Sequence, residues 1–213
     1  MRNEPDRLAM IWCNPAGEER RYTFGDIKRL SDKAANYFLS KGIGKGDMVL
    51  TILKRHYQFW YVSVALHKIG AVMVPATFML TKADVEYRVR SASIKAAICT
   101  DMNGVCDAVD SAEDIPTLTV KMIVNSSRDG WDQFDAGMEN ASEDLERIET
   151  NVQEPMLMYF SSGTSGYPKM VLHNHLYSLG HLSTAKYWQN VDPDGVHLTI
   201  ADTGWGKAVY CTD

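Results

Sequence analysis

The 213-residue sequence is poor in several features that define specialised classes of protein. Its four cysteines, Cys13, Cys99, Cys106 and Cys211, are scattered without a C-x-x-C pair. This spacing argues against a zinc ribbon or a disulfide framework and predicts reduced, mostly packed thiols. Positive charge is not in excess, because 22 Lys and Arg residues stand against 27 Asp and Glu residues, for a net charge of −5. A nucleic-acid partner is therefore not expected.

The sequence also lacks an uninterrupted apolar run of about 20 residues, so we expect no transmembrane segment. Polar residues, glycine and proline break the longest apolar stretches, for example at His67, Gly70 and Pro75. Residues 1–7 have no apolar signal core and are too acidic for a transit peptide, which favours a cytoplasmic location. With 45% hydrophobic and 23% charged residues, the composition is that of a folded globular protein.

Strand and helix patterns alternate along the chain. A turn signal at 14–17 predicts an opening hairpin, and Thr23 with Asp26 can cap a helix that ends near Gly42. Further strands are predicted at 48–53, 71–74, 96–100, 118–124 and 156–160, with helices at 57–69, after the capping residue Thr81, and at 105–112. This rhythm predicts an α/β fold with a mostly parallel, doubly wound sheet flanked by helices.

The composition changes after the last of the early strands. Residues 125–153 are acidic and polar with few apolar anchors, which predicts a surface excursion with one or two short helices. We place an internal boundary there, with a first α/β subdomain at 1–150 and a second unit that begins at 151–213.

The segment from Tyr159 to Lys169 reads YFSSGTSGYPK and is the most informative part of the sequence. A strand that runs into six small residues exposes backbone N–H groups and hydroxyls to a phosphate chain, and Lys169 supplies a countercharge. The pattern is not a Walker A loop, because Gly163 and Gly166 are too close together and Met170 follows the lysine. The alternative is a flexible surface turn with a solvated lysine.

Taken in full, this order resembles the phosphate loop of the adenylate-forming superfamily, which contains acyl-CoA synthetases, luciferases and the adenylation domains of peptide synthetases. Segments 22–27 (YTFGDI) and 65–75 (ALHKIGAVMVP) resemble two further signatures in the same order. Segments 169–173 (KMVLH) and 201–205 (ADTGW) are most similar to the medium-chain acyl-CoA and acetyl-CoA synthetase branches, although Met170 stands where many members carry glycine.

The resemblance implies a ligase that joins a small-molecule carboxylic acid to AMP and then to coenzyme A, with ATP and Mg²⁺ as cofactors. Preorganised donors and a cation suit both steps, because negative charge develops on phosphoryl and carbonyl oxygens. The resemblance assigns to the nucleotide the residues Ser161, Ser162, Gly163, Thr164, Ser165, Gly166, Tyr167, Pro168 and Lys169. As catalytic residues, Lys169 would hold the leaving pyrophosphate and Thr164 would place its hydroxyl near the metal-bound phosphates.

Three other residues attract a functional interpretation. Trp205 matches a family position near the acyl and nucleotide sites, with an ordinary core tryptophan as the alternative. His173 and His175 form an H-x-H pair, but no third ligand lies nearby in the sequence, so we expect no metal site. The resemblance instead makes His173 a supporting residue behind the phosphate loop.

Family members continue beyond the equivalent of Asp213, so the missing C-terminal part is an expected partner and the chain alone is expected to be inactive. The resemblance implies that 151–213 is the start of the ATP-binding region. The favoured hypothesis is the N-terminal part of an AMP-forming acyl-CoA synthetase acting on acetate, a medium-chain fatty acid or an aromatic acid. The alternative is a non-catalytic remnant or interaction module. An amino-acid-activating domain fits less well, because the segment after Asp202 does not resemble that branch's acidic anchor.

Overall fold

A computed structural model describes residues 4–161, 166–192, 195–198 and 200–206. Within these ranges the chain forms nine strands and six helices. The strands are β1 (Leu8–Cys13), β2 (Glu19–Thr23), β3 (Met48–Ile52), β4 (Val72–Pro75), β5 (Ala96–Thr100), β6 (Val120–Val124), β7 (Asp132–Gln133), β8 (Pro155–Ser161) and β9 (Lys169–Asn174). The helices are α1 (Phe24–Ser40), α2 (Gln58–Lys68), α3 (Lys82–Ser91), α4 (Val105–Asp110), α5 (Phe134–Glu139) and α6 (Leu176–Tyr187).

Seven of the strands form one sheet in the order β7-β6-β5-β3-β4-β8-β9, and β1 and β2 form the predicted antiparallel hairpin. All neighbours in the large sheet are parallel except β8 and β9, which run antiparallel. The predicted α/β class with a mostly parallel, helix-flanked sheet is therefore confirmed. Parallel strands place their carboxyl ends at one edge of the sheet, where α/β proteins commonly bind ligands.

Both faces of the sheet are covered. Alternate residues of each strand face opposite sides, so Val49 packs with α1, α2 and α5 while Leu50 packs with α3 and α4. The central strands are continuous apolar runs because a parallel sheet is buried on both faces.

Helix starts follow the predicted caps. The Thr23 hydroxyl accepts a hydrogen bond from the Asp26 N–H, and the Asp26 carboxylate accepts one from the Thr23 N–H in return. Thr81 and Asp84 form the same box at the start of α3. Two of the four orphan N–H donors of each helix start are satisfied in this way, which fixes where α1 and α3 begin.

The polar stretch after β6 is more structured than we expected. It contains the predicted short helix, α5, but also the strand β7, which extends the sheet by pairing with β6. Phe134 is fully buried and Trp131 nearly so, which ties this stretch to both sides of the core. The sheet also continues across residue 150, since β8 pairs with β4. The division of the chain at that point stays a prediction.

Two further expectations concern the described part of the chain. In those residues, no helix is both long and apolar enough to cross a membrane. Cys99 and Cys106 are buried and unpaired, and Cys13 is unpaired but exposed. Cys211 lies outside the described residues.

Candidate functional site

The loops that follow the parallel strands meet at the carboxyl edge of the sheet. The residues after β3 and β4 lie there, and so does the start of the phosphate-loop sequence after β8. The later segment 200–206 packs against the same edge. Two sequence motifs that are about 40 residues apart are therefore brought to one side of the molecule.

The phosphate-loop sequence runs from the end of β8 to the start of β9, and these two strands pair antiparallel. Ser161 stands opposite Lys169 in the register, and the Ser161 hydroxyl donates to the Lys169 carbonyl oxygen at 3.4 Å. Gly166 has φ of +108°, a backbone conformation that residues with a side chain rarely adopt. Among the described residues, no heavy atom lies within 4 Å of the position that a Cβ would take there. Lys169 is exposed.

Four of the predicted nucleotide-binding residues are not among those that the structure describes. Ser162, Gly163, Thr164 and Ser165 lie outside the described residues. Ser161, Gly166, Tyr167, Pro168 and Lys169 are described and stay together at the ends of the loop.

Helix α3 contacts both ends of this loop. The Tyr87 hydroxyl donates to the Pro168 carbonyl oxygen at 3.0 Å, and the Tyr87 ring stacks on Tyr167 with centroids 4.6 Å apart. The neighbouring Arg88 places its guanidinium carbon 4.9 Å from the centroid of the Phe160 ring. Arg88 is buried, which lowers the pKa of its guanidinium, although an arginine remains charged.

The segment with the ADTGW sequence is held at the ends of β3 and β4. The buried Thr203 hydroxyl donates to the Lys54 carbonyl oxygen, and Arg55 Nε donates to the Ala201 carbonyl oxygen at 3.2 Å. Gly204 lies against the backbone that follows β4. Trp205 is 62% exposed, and its place near the acyl and nucleotide sites stays a prediction.

A polar network lies at the same edge of the sheet. His56 Nε2 is 2.9 Å from the Thr100 hydroxyl, and its Nδ1 is 3.3 Å from the Asn125 side-chain nitrogen. Gln58 links Asn125 to Asp135 through hydrogen bonds of 2.7 and 3.0 Å. Burial lowers the pKa of His56, which favours the neutral ring that can accept from Asn125. The network joins the ends of β3, β5 and β6 to the start of α5.

The histidine pair separates in space. His173, on β9, packs 4.1 Å from the Tyr177 ring, whereas His175 precedes α6 and lies 6.3 Å from His67, all measured between ring centroids. Burial lowers the pKa of both histidines. Across the described ranges, no cluster of three or more His, Cys, Asp or Glu side chains suits a metal ion.

Sequence reasoning missed Tyr87, Arg88 and His56. No local pattern marks them, because each acts on a partner between 44 and 81 residues away in the chain. The one available signal was topological, since α3 follows the strand that lies beside β8.

Comparison with known proteins places the chain in a family. The family model described as AMP-binding enzyme matches residues 1–212. Acyl-coenzyme A synthetase ACSM4, mitochondrial, from Rattus norvegicus is 36% identical over 208 residues, which cover 96% of this chain and 36% of that protein. Acyl-coenzyme A synthetase ACSM3, mitochondrial, from Homo sapiens is 36% identical over 212 residues, covering 97% of this chain and 36% of that protein. The chain thus spans about a third of the length of the curated relatives it matches.

Solved structures share the fold. An acyl-CoA synthetase from Brucella canis superimposes with a TM-score of 0.86 at 20% identity, over 96% of this chain and 37% of the other. The anthranilate CoA ligase AuaEII, solved with anthranoyl-AMP, gives 0.77 at 20% identity, over 87% of this chain and 36% of the other. At this identity the likeness establishes the fold alone.

One expectation is corrected by these comparisons. The relatives are named as mitochondrial proteins, which contradicts the cytoplasmic location that we inferred. The inference rested on residues 1–7 alone. Because this chain covers only about a third of its relatives' length, its first residues do not have to correspond to the segment that would carry a targeting signal.

Proposed function

This chain belongs to the AMP-binding enzyme family, and we propose that the complete protein is an ATP-dependent, AMP-forming acid–thiol ligase. In the first proposed step a carboxylate oxygen attacks the α-phosphorus of ATP, and pyrophosphate leaves. In the second the thiolate sulfur of coenzyme A attacks the acyl carbonyl carbon, and AMP leaves. The observation that best supports this is that Ser161 ends β8 at the carboxyl edge of the parallel sheet, the edge against which segment 200–206 packs.

The loop residues are proposed to act on the phosphates. Backbone N–H groups and hydroxyls of Ser161, Ser162, Gly163, Thr164, Ser165 and Gly166 would cradle the β- and γ-phosphates, with Tyr167 and Pro168 completing the loop. Gly166 supports this role, because a residue without a side chain leaves its backbone N–H accessible to a phosphate oxygen. Lys169 would hold the pyrophosphate as it leaves, since a fixed cation stabilises the charge that develops there. Thr164 would place its hydroxyl near the metal-bound phosphates.

Mg²⁺ is proposed to arrive with the nucleotide. Mg²⁺ is usually bound through substrate phosphates and few protein ligands, and it keeps several waters. The described residues fit that mode, because they offer the Ser161 hydroxyl near the loop but no cluster of carboxylates. The ion would neutralise charge on the phosphates when bound.

Trp205 is proposed to line the site for the acyl group. Its exposure of 62% leaves the indole available to a ligand or to a further part of the protein. The contacts of Thr203 and Gly204 fix the backbone of this segment, so the backbone next to Trp205 is held in place. Residues 1–150 would supply the supporting subdomain and 151–213 the start of the ATP-binding region. The substrate class is a carboxylic acid, and the rest of the polypeptide is the partner that completes the site.

The test uses the natural polypeptide at its full length, whose intact mass is measured first. A mass well above 23.9 kDa favours the ligase, whereas a mass of 23.9 kDa favours a non-catalytic protein that keeps the fold. The second measurement is carboxylate-dependent exchange of pyrophosphate into ATP. We expect Lys169→Ala to lower the exchange rate by about 10²-fold, as does loss of one stabilising donor in other active sites.

Lys28→Ala is the matched control. Lys28 is 64% exposed on α1, on the far side of the sheet from α3, and its loss should leave the exchange rate within about twofold. Equal rates in the Lys169→Ala variant and the wild type would remove Lys169 from the proposed site.

A further inference from the structure

One aromatic side chain contacts both ends of the phosphate-loop sequence. The Tyr87 ring packs edge-on against Phe160, with centroids 6.0 Å apart, and stacks on Tyr167 at 4.6 Å with only 16° between the planes. Its hydroxyl donates to the Pro168 carbonyl oxygen at 3.0 Å. Phe160 immediately precedes Ser161, and Pro168 immediately precedes Lys169.

Helix α3 is itself well fixed at this position. Thr81 and Asp84 cap its start, and Arg88 donates from Nη1 to the Asp84 carbonyl oxygen at 3.0 Å. The same buried arginine packs over the Phe160 ring. A rigid helix therefore contacts the chain where it enters the loop and where it leaves it.

We propose that Tyr87 is a positioning residue for the phosphate loop, which sets the orientation of Tyr167 and Pro168 and thereby the position of Lys169. The inference rests on the proposed function, because it assigns Tyr87 to the ATP side of that reaction. Donors stabilise a phosphate more strongly when their positions are fixed before the ligand arrives, because no free energy is then spent on ordering them. The hydrogen bond and the ring stack with Tyr87 hold Tyr167 and Pro168 in place, at the end of the loop nearest Lys169. Tyr87 does not need to touch the nucleotide.

The experiment compares Tyr87→Phe and Tyr87→Leu with wild type in the full-length protein. The dissociation constant for Mg²⁺–ATP is measured by calorimetry without carboxylate, so that no reaction follows binding. Tyr87→Phe keeps the ring and removes only the hydroxyl, and we expect ATP affinity to fall by about two- to tenfold, the range for one lost hydrogen bond. Tyr87→Leu removes the ring stack as well and should lower ATP affinity further. The KM for the carboxylate should stay within about twofold in Tyr87→Phe.

Tyr57→Phe is the matched control. Tyr57 is also a tyrosine stacked on another tyrosine, Tyr22, but it packs with the helices on the opposite face of the sheet. Its variant should leave ATP affinity unchanged. Midpoints of thermal unfolding recorded for all three variants separate a loss of ATP binding from a general loss of structure.

Two outcomes would overturn the inference. One is a Tyr87→Phe protein that binds Mg²⁺–ATP as tightly as wild type. The other is a variant in which ATP affinity, carboxylate KM and thermal midpoint all change together, as they would for a residue that only stabilises the fold. Failure of the ligase proposal has a different signature. Wild type would then show no carboxylate-dependent exchange, while weaker ATP binding in Tyr87→Phe would still support the positioning role.

Discussion

The backbone of Gly204 lies directly against that of Ala76, so that a Cβ on residue 204 would fall 2.2 Å from the Ala76 carbonyl carbon. Ala76 follows β4, and Gly204 belongs to the segment that carries Trp205. Only glycine permits this approach, because the neighbouring atoms are main-chain atoms that cannot move aside. The contact fixes the later segment to the carboxyl edge of the sheet.

We therefore expect Gly204→Ala to displace residues 201–205. Overpacking of this kind costs about 1–3 kcal/mol, and a shift of about 1 Å at a site can lower a rate by 10²-fold. Pyrophosphate exchange in the full-length protein should fall at least tenfold. Gly44→Ala is the control, since no atom of the described residues lies within 4 Å of a Cβ there. Equal exchange rates in the two variants would mean that this contact does not organise the site.

The sequence predicted most elements because their signals are local. Thr23 and Asp26 mark the start of α1, and the apolar runs of β3 and β5 need only their own residues to be recognised. The two-residue strand β7 is too short to carry a periodicity, and it exists because it pairs with β6. Its omission shows that pairing with another strand can create an element that has no periodic signal of its own.

The site was predicted as a motif but not as an arrangement. The loop sequence pointed to phosphate, whereas the contact of Tyr87 with Pro168 joins residues 81 positions apart and depends on the sheet order. The exposure of Trp205 could not be predicted either, because an isolated tryptophan suits a core as well as a binding site. The prediction of a cytoplasmic location was wrong for a different reason, since it relied on the first seven residues alone.

A second glycine makes a test of the packing on the other face of the sheet. A Cβ on Gly137 of α5 would lie 2.3 Å from the Tyr37 ring, which is held by Phe134 at 5.9 Å between centroids. We expect Gly137→Ala to lower the free energy of unfolding by about 1–2 kcal/mol, because overpacking exceeds the gain in helix propensity. Urea denaturation measures the change.

Gly180→Ala is the opposite case. Gly180 also lies in a helix, α6, but none of the heavy atoms that the structure describes is within 4 Å of its Cβ position. Here the alanine should be neutral or should stabilise by about 0.5–1 kcal/mol. A Gly137→Ala protein that gains stability like Gly180→Ala would contradict the close approach to Tyr37.

Asp32 connects the first two helices. Its buried carboxylate accepts hydrogen bonds from Lys68 Nζ at 2.6 Å and from Lys28 Nζ at 2.7 Å. We expect Asp32→Asn to destabilise the protein by about 2–3 kcal/mol, because Lys68 would keep its charge without a counter-ion. Lys28→Met should cost less than about 1 kcal/mol, since that lysine is 64% exposed. Similar losses in both variants, measured by denaturation, would argue against the buried pair.

His67 should make the protein sensitive to acid. Its Nε2 is buried and, within the described residues, has no hydrogen-bond partner. Burial, and then the nearby His175, lower the pKa of His67 to about 4. In the unfolded chain the pKa is about 6.5, so between these values the unfolded state binds the proton and the folded state does not. The contribution of the neutral ring to the free energy of unfolding is therefore complete above pH 6.5 and is lost progressively as the pH falls towards 4.

From these values we expect His67 to account for about 2 kcal/mol of lost stability between pH 7.5 and pH 5. The measurement is the free energy of unfolding at both pH values in wild type and in His67→Gln, which cannot take up the proton. Carboxylates such as Asp26 and Asp84, whose pKa values hydrogen bonds lower, act equally in both proteins and cancel in the difference. If the stability of the two proteins depends on pH in the same way, a group other than His67 takes up the proton. If the stability of His67→Gln changes less with pH, the packing of α2 against the start of α6 requires a neutral imidazole.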